Sequence, residues 1–252
     1  MCRKPLLIFA AMILLPAAIC AQTVDEIIAK NVQAHGGMEK LKSVETRWES
    51  AKFSSGSFKA DVRRVNKRPG EVREEFIIQG MAQVRAYDGK TGWQLDPFGG
   101  RREAELLSED DMKDLVVEAD IDGPLVDYKE KGHTAELMGH DSVEGTDCYK
   151  VKLTLKNGDI RTYYLDTDSF LELKLETQTF IRGAPRESEM YYGDYEQISG
   201  MYFPFAIERG QKGNPDRVRL TVEKVEINPP VDDALFSKPA AKAVTGAPGM
   251  PK

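Results

Sequence analysis

The chain has 252 residues, 35 of them basic and 41 acidic, for a formal net charge of −6. Such an acidic balance excludes a nucleic-acid partner, because a phosphate backbone is held by clustered Lys and Arg. Three cysteines, Cys2, Cys20 and Cys148, offer no disulfide framework, so the fold rests on a core that a chain of this length can fill.

Arg3 and Lys4 precede an apolar run from Leu6 to Ala18. The run is shorter than the roughly 20 residues that span a bilayer, and small residues follow it. Residues 1–21 therefore read as a secretory signal peptide cut after Ala21, which exports the chain. The alternative is a lipid anchor on Cys20, but Ile19 is bulky where that processing step takes Gly, Ala or Ser. Once the signal is removed Cys148 is the one thiol left, and it reads as a small buried hydrophobe.

Thr23 and Glu26 have capping-box spacing, Val24, Ile27, Ile28 and Val32 share one helical face, and Gly36-Gly37 supplies a stop. A short turn from Met38 to Lys42 follows. Period-two alternation then predicts strands through Val44 to Ser50, Phe58 to Val62, Val72 to Ile78, Ala82 to Tyr87 and Thr91 to Leu95. A second helix starts at Ser108 with Asp111 at the capping position, opens on an acidic turn and carries Met112, Leu115, Val116 and Ala119 on one side until about Asp120. Beyond it, Val151, Leu153 and Leu155 alternate with Lys152, Thr154 and Lys156. Asn157-Gly158 then predicts a type I′ hairpin turn, and Ile160, Thr162 and Tyr164 resume the alternation. Further strands follow over Leu171 to Leu175, Glu187 to Tyr195, Met201 to Arg209 and Arg217 to Ile227. Residues 22–236 form one domain, and 237–252, rich in Ala, Pro, Gly and Lys, read as a disordered tail.

About eleven short antiparallel strands with so few helices predict a mainly β fold, one curved sheet left open as a half-barrel with the helices on its concave side. Aromatic and aliphatic residues on such a face either fill a core or line a ligand cavity. The residues expected to line it are Trp48, Phe76, Ile78, Trp93 and Tyr164, together with Val151, Leu153, Leu155, Leu173 and Leu175.

Catalytic patterns are weak. His35, His133 and His140 have no neighbours at metal-ligand spacing, and His35 reads as a partner of the last carbonyls of its helix. Asp120 and Asp122 beside Gly123-Pro124 read as turn residues. A Gly-x-Ser-x-Gly elbow is missing, as is a phosphate-cradling glycine loop. The expectation is a protein that is not an enzyme and uses no cofactor or metal.

The segments Ala86 to Trp93 (AYDGKTGW), Ala119 to Tyr128 (ADIDGPLVDY) and Tyr163 to Asp166 (YYLD), with Asp194-Tyr195 and Phe203-Pro204, resemble the outer-membrane lipoprotein-sorting family. These are relatives of the LolA and LolB carriers of bacterial lipoproteins. The resemblance runs from the Thr23 helix to Phe236. It implies a periplasmic half-barrel that binds lipoprotein acyl chains, or a related lipid, and meets inner- or outer-membrane proteins in transit. In those carriers an arginine of the half-barrel helps close the lid, and Arg47, Arg63, Arg64 and Arg73 all lie on early strands. The same fold also suits an envelope sensor that recognises a lipid or protein, or, more distantly, an enzyme acting on envelope lipids or glycans.

Overall fold

A computed structural model describes residues 22–240; the signal segment 1–21 and residues 241–252 of the expected tail lie outside them. Thirteen strands form one antiparallel sheet: β1 (Thr46–Ser55), β2 (Phe58–Lys67), β3 (Glu71–Ile78), β4 (Met81–Tyr87), β5 (Gly92–Leu95), β6 (Glu105–Leu106), β7 (Thr134–Val143), β8 (Thr146–Thr154), β9 (Ile160–Asp166), β10 (Glu172–Ile181), β11 (Ala184–Ile198), β12 (Met201–Gln211) and β13 (Arg217–Ile227). Their order is β6-β5-β4-β3-β2-β1-β13-β12-β11-β10-β9-β8-β7, an open sheet with β6 and β7 at its edges. Two strands go beyond the eleven expected. β6 has only two residues, and β7 is an edge strand whose alternation is broken by a bulge between Leu137 and Gly139, where Gly139 takes a positive φ of 103°.

Helix α1 (Val24–Ala34) has the predicted capping box, with Thr23 Oγ1 accepting from the Glu26 amide and Glu26 reaching back to the Thr23 amide. Its buried Ile27 and Ile28 pack on Val151, Leu153, Leu155, Tyr163 and Leu165, so the apolar phase of β8 and β9 meets a helix. Gly36 ends the helix at φ 117°, and a Cβ there would stand 2.6 Å from the Gly200 carbonyl oxygen, so glycine permits the close approach of the β11–β12 turn. After α2 (Met38–Lys42) the chain enters β1. Helix α3 (Glu109–Glu118), capped by Ser108, seats Leu115 and Ala119 on Val72. Helices and sheet thus enclose space on one face, the inner face.

The outer face is covered too. Trp48, Val65 and Phe236 form a buried cluster there, and the Trp93 indole donates to the Phe236 carbonyl at 2.7 Å. A short 3₁₀ turn, Asp233–Leu235, delivers Phe236, which is fully buried. Expected tail residues 237–240 thus follow directly on an anchored one. A second outer cluster joins Cys148, Tyr164 and Val143 to Leu173 and Tyr191. Burial pushes the Cys148 thiol up, as for an unreactive core thiol.

The Asn157-Gly158 turn differs from the type I′ expectation. The Gly158 amide bonds to the Leu155 carbonyl, and the Leu155 amide to the Asp159 carbonyl. Gly158 at φ 89° has the positive angle, whereas Asn157 does not. The loop therefore has three residues, Lys156 to Gly158, one more than a two-residue hairpin, and Asn157 bonds its side chain to Asp159.

Candidate ligand cavity

Between the inner face and the helices lies a cavity of about 990 Å³. Register fixes which side chains reach it. Ala51 faces Val62 across β1 and β2, and Ile207 faces Leu220 across β12 and β13; with Leu175 and Met190 they form an apolar strip on the wall. Tyr163, Tyr192 and Tyr195 border the strip.

Charge occupies the rest of the wall. At the end of α1, His35 Nε2 lies 2.7 Å from Glu172 Oε2 and Nδ1 lies 3.0 Å from the Tyr202 carbonyl oxygen. Both ring nitrogens face acceptors, which requires an imidazolium. Burial alone would lower its pKa, but the Glu172 carboxylate holds it up to about 9. Glu172 is held down to about 2, against the effect of burial, by His35 and by the Asn31 amide at 3.0 Å. The Tyr195 hydroxyl donates to the Glu172 carbonyl oxygen at 2.9 Å. His35 thus fastens its helix to β10 and β12, and the carbonyls it was expected to meet are not its partners.

Helix α3 lies as a strap over the cavity. On one side Arg64 reaches Glu74 at 2.5 Å and Glu118 at 3.1 Å, Asn66 donates to the Glu118 carbonyl oxygen, and Arg85 donates to the Asp111 carbonyl oxygen. On the other side Lys113 reaches the Phe180 carbonyl oxygen, and Asp110 accepts from the Arg182 amide. Burial and the neighbouring Glu74 push the Glu118 carboxyl up, while Arg64 keeps Glu74 low despite its own burial. The connector beyond the strap is tied down by Asp122, which takes Arg68 at 2.5 Å and Lys42 at 2.7 Å, and by Asp120, which takes Lys131 at 2.5 Å.

The ten residues expected to line the cavity fall into four groups. Leu175 lines it. Val151, Leu153 and Leu155 share its face and lie in the core with α1. Phe76 is paired with Val62 on that same face but stands past the cavity, packed on Phe53 at 5.1 Å and Phe58 at 6.3 Å; Ile78 follows in the same phase, paired with Met81. Trp48, Trp93, Tyr164 and Leu173 are on the outer face, where the Phe236 segment and the Cys148 cluster bury them. Sequence reading missed the charged wall, since Arg64, Glu74 and Glu118 come from three elements and no local spacing joins them. Among the described residues no group of three His, Cys, Asp or Glu side chains is placed to hold a metal. No helix among them is long and apolar enough to cross a membrane.

A mainly β chain with this open antiparallel sheet and its helices on one face has the LolA-like half-barrel fold. Similar solved structures share that fold at low sequence identity. A LolA superfamily protein from Nitrosomonas europaea aligns with a TM-score of 0.59 and 13% identity, covering 86% of this chain and 99% of its own. A DUF1329 family protein from Desulfovibrio piger gives 0.57 and 14%, covering 85% and 97%. A putative outer membrane lipoprotein-sorting protein domain from Vibrio parahaemolyticus gives 0.56 and 12%, covering 84% and 95%. A family model described as "uncharacterized protein"-like matches residues 112–242, just over half of the chain, and the chain belongs to that family. No curated protein matches the sequence significantly.

Proposed function

We propose that this protein is an exported, periplasmic carrier that holds the acyl chains of a lipoprotein, or of a related lipid, in the inner cavity for transfer towards the outer membrane. The observation that carries the reading is the 990 Å³ space walled by the Ala51, Val62, Leu175, Met190, Ile207 and Leu220 strip on the inner face of a LolA-like sheet. Each methylene buried there is worth about 0.8 kcal/mol, so one or two acyl chains bind without a specific polar contact. Entry and exit require the α3 strap to move. Its fastenings are partly exposed ion pairs and single hydrogen bonds, of modest strength each, and in this reading Arg64, paired with Glu118, is the arginine that closes it. Membrane proteins that load and unload the cavity are the partners this reading implies.

Lipid extracted from protein purified from its native envelope, analysed by mass spectrometry, tests the proposal together with uptake of a triacylated peptide. Co-purified acyl lipid and saturable uptake are expected. Ile207→Glu, which sets a charge on the apolar strip, is expected to weaken uptake at least about tenfold. Protein that is free of lipid and takes up no peptide overturns the reading.

A further inference from the structure

Two arginines on the cavity wall, one on each half of the sheet, have no acid partner. Arg47 on β1 makes one long hydrogen bond, 3.3 Å to Asn66, and its buried Nε has none. Arg161 on β9 stands beside Tyr163 with its Nε also buried and unbonded. No carboxylate lies within ion-pairing distance of either among the described residues. The acids nearby are engaged elsewhere: Asp122 by Arg68 and Lys42, Glu118 by Arg64, and Asp120 by Lys131. Glu49, two residues along on the same face, makes no ion pair with Arg47 among the described residues and acts on the guanidinium only through space. Burial lowers the Arg47 pKa, as befits a guanidinium short of a counter-charge. A guanidinium does not deprotonate, so leaving its buried Nε unpaired is costly and an incoming anion relieves that cost.

We propose that the cavity takes an acidic amphiphile, a carboxylate or phosphate at one end of an acyl chain, with the anionic group neutralised by Arg47 and Arg161 and the chain along the Ile207–Leu220 strip. This rests on the carrier reading and narrows its cargo. Arginine suits either anion, because its fork of donors matches both.

The delipidated mature chain is titrated with oleate, oleoyl lysophosphatidic acid, oleyl alcohol and monoolein, which share one chain and differ in charge. One or both anions are expected to bind at least about tenfold tighter than the neutral pair, the effect of one charge-assisted hydrogen bond. The double variant Arg47→Gln/Arg161→Gln should remove the preference. Equal binding of acid and alcohol by the wild type, or a preference that survives in the double variant, overturns the proposal while leaving the carrier reading intact. Failure of all four ligands to bind sinks both. Should the double variant not fold, Arg161→Gln alone, which gives up a hydrogen bond to the Tyr163 side chain but no ion pair among the described residues, must still reduce the ratio several-fold.

Discussion

His35 carries a proton that the unfolded chain would release near pH 6.5, and in the fold it keeps that proton to about pH 9. The sign follows: stabilisation is complete below pH 6.5 and drains away as pH rises through about 9. Glu172, held to about 2, contributes fully above 4.5 and fails only as pH falls towards 2. In a Glu118→Gln background, thermal melts against pH should therefore show a plateau between about 4.5 and 6.5 and a decline towards 9. Glu118, with its raised carboxyl pKa, adds a decline of the same sign beginning lower. In His35→Gln the part of the decline nearest pH 9 should vanish, and stability at pH 6 should drop by about 3 kcal/mol, the cost of leaving one partner of a buried pair alone. Chemical denaturation at several pH values separates these terms. Gly36→Ala combines a positive φ with a clash on the Gly200 carbonyl oxygen, and an unfolding free energy reduced by about 1–3 kcal/mol is expected. The glycine stop was legible in the sequence; its role as a near contact was not, because Gly200 lies far along the chain.

At the level of elements, the strand alternation was readable and the choice of face was not. Val151, Leu153 and Leu155 declare one apolar side, and that side does meet α1. Trp48 and Trp93 declare another with equal clarity, yet it turns outward, because the segment ending at Phe236 buries it. A sheet covered on both sides offers two apolar phases, and period two alone cannot rank them. The inner charges were invisible for a related reason: Arg64 looks like a solvent-facing residue until Glu118 arrives from a helix 54 positions away. The strap should respond in kind. Leu115→Ala removes its fully buried anchor on Val72 and should cost about 2–5 kcal/mol, read by denaturant titration. Arg64→Ala leaves Glu74 and Glu118 facing each other, so amide exchange in residues 109–118 should quicken, whereas Glu118→Gln, which replaces a carboxyl already pushed towards its neutral form, should quicken it less.

Across the whole molecule, the outer clasp holds the β1–β5 half of the sheet through Phe236, and through Arg73 donating to the Leu235 carbonyl oxygen at 3.0 Å. A chain ending at residue 231 should lose about 3–5 kcal/mol, as Phe236→Ala should, while one ending at residue 240 should melt like the longer protein. The open, mainly antiparallel β character was legible from the alternation, but the order of strands was not, since hairpins specify neighbours and leave open where the series starts. It starts in the middle: the first and last strands, β1 and β13, lie side by side, and the two edges, β6 and β7, are consecutive in the chain. Each half is a run of hairpins between sequence neighbours, and a single long-range seam joins them. The α3 segment is the one covalent bridge from edge to edge. A protease cut in residues 119–133 would leave two meanders with no covalent link, held by that seam, by α1 on β8 and β9 and by the Phe236 clasp, a noncovalent heterodimer that denaturant should part into its halves.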